Sequence, residues 1–161
     1  MRYRVRHYSL MACLLGWVGL ALAAPAPRPF VAGTMGQLLT AEPDRARVIV
    51  FWSLECSYCQ EELQWLAGRD GSEAEVVLVA TDPVTSAEAV STRLRKYGFE
   101  PARHWIFAEA FVERLRYDVD PGWGGELPRT YLVAAGEEPI GVSGRLDRER
   151  FDAWLQSVTG D

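Results

Sequence analysis

The stretch Arg47–Leu66, RVIVFWSLECSYCQEELQWL, decides how this chain folds. Val48-Ile49-Val50-Phe51-Trp52 is an apolar run of the kind that forms a central strand buried on both faces. It stops at a short polar turn, and Cys56 and Cys59 then stand three apart at the head of an amphipathic helix. Glu61, Glu62, Leu63, Trp65 and Leu66 continue the helix to a stop near Gly68. Cysteines at i and i+3 of a helix start can bridge with little chain movement. The unpaired N–H groups there favour a thiolate on the first of them. The pattern predicts thiol–disulfide chemistry, although a Cys-x-x-Cys pair taken alone is also half of a zinc site.

Outward from this stretch, the chain alternates. Glu75–Ala80 reads as a second buried strand, broken by Thr81-Asp82-Pro83, and a helix follows from Thr85 or Ser86 to Tyr97, with Gly98 as its stop. Trp105–Phe107 is a short strand, and Ala110–Tyr117 a helix burying Phe111, Val112 and Leu115. A turn-rich loop, Asp120–Gly125, leads into Leu127–Val133, a strand entered through proline. Gly136–Glu138 turns into a last strand, Pro139–Val142, and Asp147 caps a helix carrying Phe151, Trp154, Leu155 and Val158. This order predicts an α/β domain with a mixed sheet of about five strands and helices on both faces. Met35–Leu39 fits either a helical turn or a short edge element, so residues 24–45 read as a spacer before a domain spanning 46–161.

Residues 1–23 have the layout of an export signal: Arg2, Arg4 and Arg6, an apolar run from Leu10 to Leu22, and Ala21-Leu22-Ala23 as a cleavage site. Uncleaved, the same run would be a membrane anchor; both readings put the domain outside the cytoplasm. Cys13 lies within the apolar run, which leaves Cys56 and Cys59 as the cysteines of the mature chain. Without the three arginines, Lys+Arg falls from 17 to 14 against 22 acids, a net charge of −8. That acidity argues against nucleic acid as a partner.

Three features together resemble the TlpA/ResA-like branch of thioredoxin-fold proteins, the extracytoplasmic thiol–disulfide oxidoreductases. Phe51-Trp52-Ser53 leads into Cys56-Ser57-Tyr58-Cys59, Glu62 stands three after the second cysteine, and Leu127-Pro128-Arg129-Thr130-Tyr131-Leu132 matches the segment whose proline is cis in this fold. The resemblance implies a thioredoxin-like three-layer fold from about Ala46 to Gly160 and no cofactor beyond a redox-active Cys56–Cys59 disulfide. It also implies protein disulfide substrates, a membrane-linked thiol electron donor and the setting of cytochrome c or metalloprotein assembly. The chain departs from the pattern at Glu55, where Trp is usual, at Ser57-Tyr58, which lacks the common Pro, and at Gln64.

The implied chemistry gives Cys56 the nucleophile's role and Cys59 the resolving role. A disulfide closing so short a loop removes little chain entropy, which argues against a purely structural bridge. Glu62 would accept the resolving cysteine's proton, unless it is simply an exposed first-turn acid. A Glu55 carboxylate roughly 5 Å from Cys56 would oppose the thiolate by about 1–3 kcal/mol, which predicts a reducing potential; otherwise Glu55 points to solvent. Leu127 and Pro128 would meet an extended substrate, with Trp123 and Arg129 lining the same groove or serving core and surface instead. His104 reads as a surface histidine. The readings from the same residues are a protein-disulfide reductase, an oxidase or isomerase, and a copper-handling factor using the dithiol as a soft ligand with no resident metal site.

Overall fold

The computed structural model describes residues 25–41, 45–71 and 73–160. The stretch read as an export signal, and Cys13 within it, lie outside these residues. Six strands form one sheet in the order β1-β4-β3-β2-β5-β6. They are β1 Arg28–Phe30, β2 Arg47–Trp52, β3 Glu75–Pro83, β4 Trp105–Phe107, β5 Arg129–Val133 and β6 Ile140–Ser143. The first four in spatial order run parallel, whereas β5 and β6 are antiparallel to their neighbours. The helices are α1 Thr34–Thr40, α2 Ser57–Ala67, α3 Ala87–Lys96, α4 Val112–Val119 and α5 Arg148–Thr159. The result is a thioredoxin-like α/β fold.

All six residues of β2 are buried, as a strand with helices on both faces requires. Alternation splits the core. Val48, Val50 and Trp52 pack with Leu63 and Leu66 of α2, Val90 and Leu94 of α3, and Phe151 and Trp154 of α5. Ile49 and Phe51 face an aromatic group made by Phe30, Phe107, Trp123 and Tyr131, with Leu115 of α4. Phe51 meets Trp123 with ring centroids 5.0 Å apart and Phe30 edge-on at 5.6 Å, separations at which aromatic pairs gain beyond simple burial.

Three expectations need correction. Residues 28–40 are not a spacer, because β1 pairs in parallel with β4 and its Phe30 is fully buried. The three residues of β1 are too few to carry a period, and burial of Phe30 fixes the strand. Phe111 is 72% exposed, because α4 begins at Val112, two residues later than expected, and leaves it outside the helical face. His104 is not a surface residue but 1% exposed, roofed by the ring of Phe99. Its Nδ1 accepts the Leu78 N–H at 3.2 Å. A further buried polar group, Arg47, joins elements the sequence does not link. It pairs with Glu75 at 2.5 Å and donates to the Leu38 carbonyl at the end of α1.

Burial lowers the His104 pKa to about 4, with Asp70 opposing the shift. Above about pH 6.5 the imidazole is neutral in both the folded and the unfolded chain. Between there and pH 4 only the unfolded chain takes up the proton, so the fold loses stability as pH falls. The shift of the ordinary 6.5 to about 4 corresponds to a loss of about 3 kcal/mol. His104→Asn keeps an acceptor for Leu78 and removes the titration. Its urea-unfolding free energy is expected to fall less than the wild type's between pH 7 and pH 4.

Candidate active site

The site is built where β2 ends. Trp52 is held by the sheet, and the chain turns through Ser53–Glu55 into the N-terminus of α2. Cys56 is the N-cap residue of that helix and forms a disulfide with Cys59, with Cα atoms 5.3 Å apart. The Cys59 N–H donates to Cys56 Sγ at 3.1 Å. An otherwise orphan helix-start donor is therefore aimed at the first cysteine's sulfur. Cys56 is half-buried and Cys59 fully buried. Only the first sulfur is open to a large partner.

The turn is clamped from three elements. Leu54 donates its N–H to Asp82 Oδ2 at 3.1 Å, and its carbonyl accepts from Gln60 Nε2 at 3.3 Å. Gln60 is held in turn by the Tyr97 hydroxyl, which donates to its Oε1 at 3.2 Å. The Thr81 hydroxyl donates to the Trp52 carbonyl. In the sequence, Asp82 reads only as a strand breaker; here it ties the end of β3 to the residue two before Cys56. Burial raises its pKa, the Leu54 N–H opposes that, and the charge of Glu55 raises it further. Glu55 itself is exposed and makes no hydrogen bond with a described residue.

Glu62 is 6% exposed. Its Oε1 accepts from the Thr130 hydroxyl at 3.0 Å and its Oε2 from the Leu146 N–H at 2.9 Å. Burial raises its pKa, against the pull of the Leu146 N–H, the Thr130 hydroxyl and the Arg145 charge. Glu62 is therefore not an exposed first-turn acid. Beside it a gap of about 20 Å³, lined by Glu61, Trp65, Arg145 and Arg148, opens between α2 and the β6–α5 loop. That is room for one water.

The Leu127–Pro128 peptide is cis, as the resemblance implied. Leu127 and Cys56 both pack against the core cluster that contains Cys59. The backbone of Leu127 makes no hydrogen bond with a described residue. Trp123 and Arg129 are not brought to this side. Trp123 is 5% exposed against Phe51, and its indole N–H donates to the Glu126 carbonyl at 2.9 Å. Arg129 bonds Asp120 at 2.6 Å, the Tyr131 hydroxyl and Ser143. Strand alternation explains the second: from Pro128, the residue two further on faces α2, and that is Thr130, not Arg129. Thr130 is legible from that phase.

No family model and no curated protein matches the chain. Solved structures do resemble it in fold. A secreted Mycobacterium tuberculosis disulfide oxidoreductase, described as homologous to E. coli DsbE, is 15% identical with a TM-score of 0.51, over 70% of this chain and 81% of that one. MTB dsbF is 18% identical with a TM-score of 0.53, over 71% and 81%. The thioredoxin domain of a Bacteroides vulgatus thiol–disulfide oxidoreductase is 15% identical with a TM-score of 0.53, over 72% and 81%. At these identities the likeness establishes the thioredoxin-like fold.

Asp82→Ala removes the acceptor of a charge-assisted hydrogen bond and leaves the Leu54 N–H without its partner. The expected cost in urea unfolding of the oxidised chain is about 1–2 kcal/mol. Asp82→Asn, which keeps an acceptor oxygen, is expected to recover most of it.

Proposed function

We propose that the chain is a thiol–disulfide oxidoreductase that reduces protein disulfides outside the cytoplasm through Cys56 and Cys59. The observation that carries this reading is the asymmetry of the pair. A half-buried sulfur receives a helix-start N–H, and its partner is fully buried one turn further in, near an acid of raised pKa. In the reduced protein, the Cys56 thiolate attacks one sulfur of a client disulfide, forming the mixed disulfide and expelling the other client sulfur as a thiolate. Cys59 then gives up its proton and attacks Cys56 Sγ. The internal disulfide re-forms and the second client sulfur leaves, so the client gains two electrons and the chain loses two.

Glu62 is the proposed acceptor for the Cys59 proton. An acid held above the ordinary carboxyl range by burial takes up and releases protons nearer neutral pH than an exposed one, which suits that task. The water-sized gap toward Arg145 and Glu61 supports an exit for the proton. Leu127 offers an unpaired backbone N–H and carbonyl for an extended client, and Tyr58, 59% exposed between the cysteines, offers an aromatic contact. On the α3 side a groove of about 720 Å³, edged by Glu55, Glu88, Arg93 and Lys96, supports a docking path of mixed charge. Re-reduction would come from a membrane-linked thiol donor, in keeping with the export-signal layout of residues 1–23.

Equilibration with thiol buffers tests the direction. The expected potential lies nearer the roughly −270 mV of thioredoxin than the roughly −120 mV of DsbA. A potential at the DsbA end with a Cys56 pKa of about 4 would replace reductase by oxidase. Cys59→Ser is expected to accumulate mixed disulfides with its clients and Cys56→Ser to form none. Glu62→Gln is expected to slow the resolving step at neutral pH by about 100-fold and to remove one inflection from its pH profile.

A further inference from the structure

Strand β6 is one edge of the sheet, and no described residue pairs with its outer side. The phase of the β5–β6 ladder is set by Gly144, whose N–H donates to the Pro128 carbonyl at 2.8 Å. Ile140 and Val142 therefore direct their backbone groups to β5, and Gly141 and Ser143 direct theirs outward. Opposite residues share a face, so Ile140 and Val142 lie on the side of Leu132, above α5. There the core is not closed. A groove of about 620 Å³ with Leu132, Leu146, Phe151 and Trp154 in its lining runs between β6 and α5. Ile140 is 47% exposed, and the buried indole N–H of Trp154 has no acceptor among the described residues. β6 itself carries no charge that would blunt the edge, in contrast to the usual protection of such strands.

We propose that a second copy of the chain covers this edge, β6 pairing antiparallel with β6 across a two-fold axis at Gly141. The sequence around the axis is complementary to itself. Centred there, Ile140 of each copy lies opposite Val142 of the other on the shared apolar face. Gly141 exchanges hydrogen bonds with its counterpart, and each Ser143 N–H meets the other copy's Pro139 carbonyl. The ladder stops at Pro139, whose nitrogen carries no hydrogen. Further out, the acidic turn Glu137-Glu138 of each copy lies toward Arg145 of the other. Moving the axis to Val142 would set Glu137 against Asp147, so charge selects the first register. On the opposite face Arg129 lies over Gly141, where an added Cβ would come within 2.6 Å of its Nη2. Asp120 neutralises that cation, so the two copies do not repel there. The pairing joins two six-stranded sheets into one and sets the two apolar grooves side by side. It is independent of the redox reading.

Sedimentation equilibrium of the chain lacking residues 1–23, over a concentration series, tests this pairing. A monomer–dimer equilibrium is expected, and Ile140→Lys, at an exposed position that leaves far-UV dichroism unchanged, is expected to weaken it about tenfold or more. Glu137→Arg with Glu138→Arg should weaken it too, and adding Arg145→Glu should restore it. Amide exchange reports the contact directly: Gly141 and Ser143 should gain protection as concentration rises, and Ile140 and Val142 should be protected throughout. A chain that stays monomeric at every concentration overturns the proposal, including the case where an extended segment of another protein occupies the edge. So does a dimer that survives Ile140→Lys with Gly141 and Ser143 unprotected.

Discussion

Burial of β2 on both faces is the constraint from which the rest of the structure follows. A strand without a solvent face must pair along both edges and be covered on both sides, since its polar backbone and apolar side chains have nowhere else to go. β3 and β5 take the edges, while α2, α3 and α5 cover one face and the aromatic group with α1 and α4 covers the other. The turn after Trp52 then emerges at the middle of the sheet. Cys56 is consequently placed where the end of β3, the start of α2 and the approach to β5 converge, on a scaffold too constrained to let it drift.

The polar groups beside the dithiol hold that scaffold together as well as offering chemistry. Glu62 belongs to α2, but its two oxygens are bonded to β5 and to the loop before α5. Removing its carboxylate would leave a buried hydroxyl and a partly buried N–H unpaired, which costs more than the net gain of the bonds themselves. The proton-accepting role proposed for Glu62 comes on top of this positional one, so loss of activity on its replacement cannot by itself separate the two. A pH profile can, because packing alone does not shift an inflection.

The parts of the fold readable in the sequence are those whose pattern outruns its noise. β2, β3, α2, α3 and α5 carry enough apolar residues in phase to announce themselves, and the dithiol and Pro128 are punctuation between them. β1 has three residues, fewer than two full periods of alternation, so only the burial of Phe30 against Phe107 reveals it, whereas β4, equally short, is announced by the apolar run Trp105-Ile106-Phe107. His104 illustrates a second limit. It directly precedes the apolar run of β4 but follows Arg103, and its burial is a product of Phe99 and Leu78 closing over it. The partners of Glu62 lie 68 and 84 residues away, beyond any local pattern. Only the alternation from Pro128 to Thr130 could have supplied one of them.

The same comparison moves the weight among the acids near the disulfide. From the sequence, Glu55 stands out, because it directly precedes Cys56 at a position where the family the chain resembles usually has Trp. In the structure its side chain is in solvent, where water and salt weaken its effect on Cys56. Its charge is felt instead by Asp82, which is half-buried and bonded to the turn. A negative charge at Glu55 thus adds to burial in raising the Asp82 pKa, against the Leu54 N–H that lowers it. On the other side, Glu62 is kept toward its neutral form by burial. Asp82 and Glu62 are thus both shifted toward their neutral forms, and the polar group aimed at the Cys56 sulfur itself is the Cys59 N–H at the helix start.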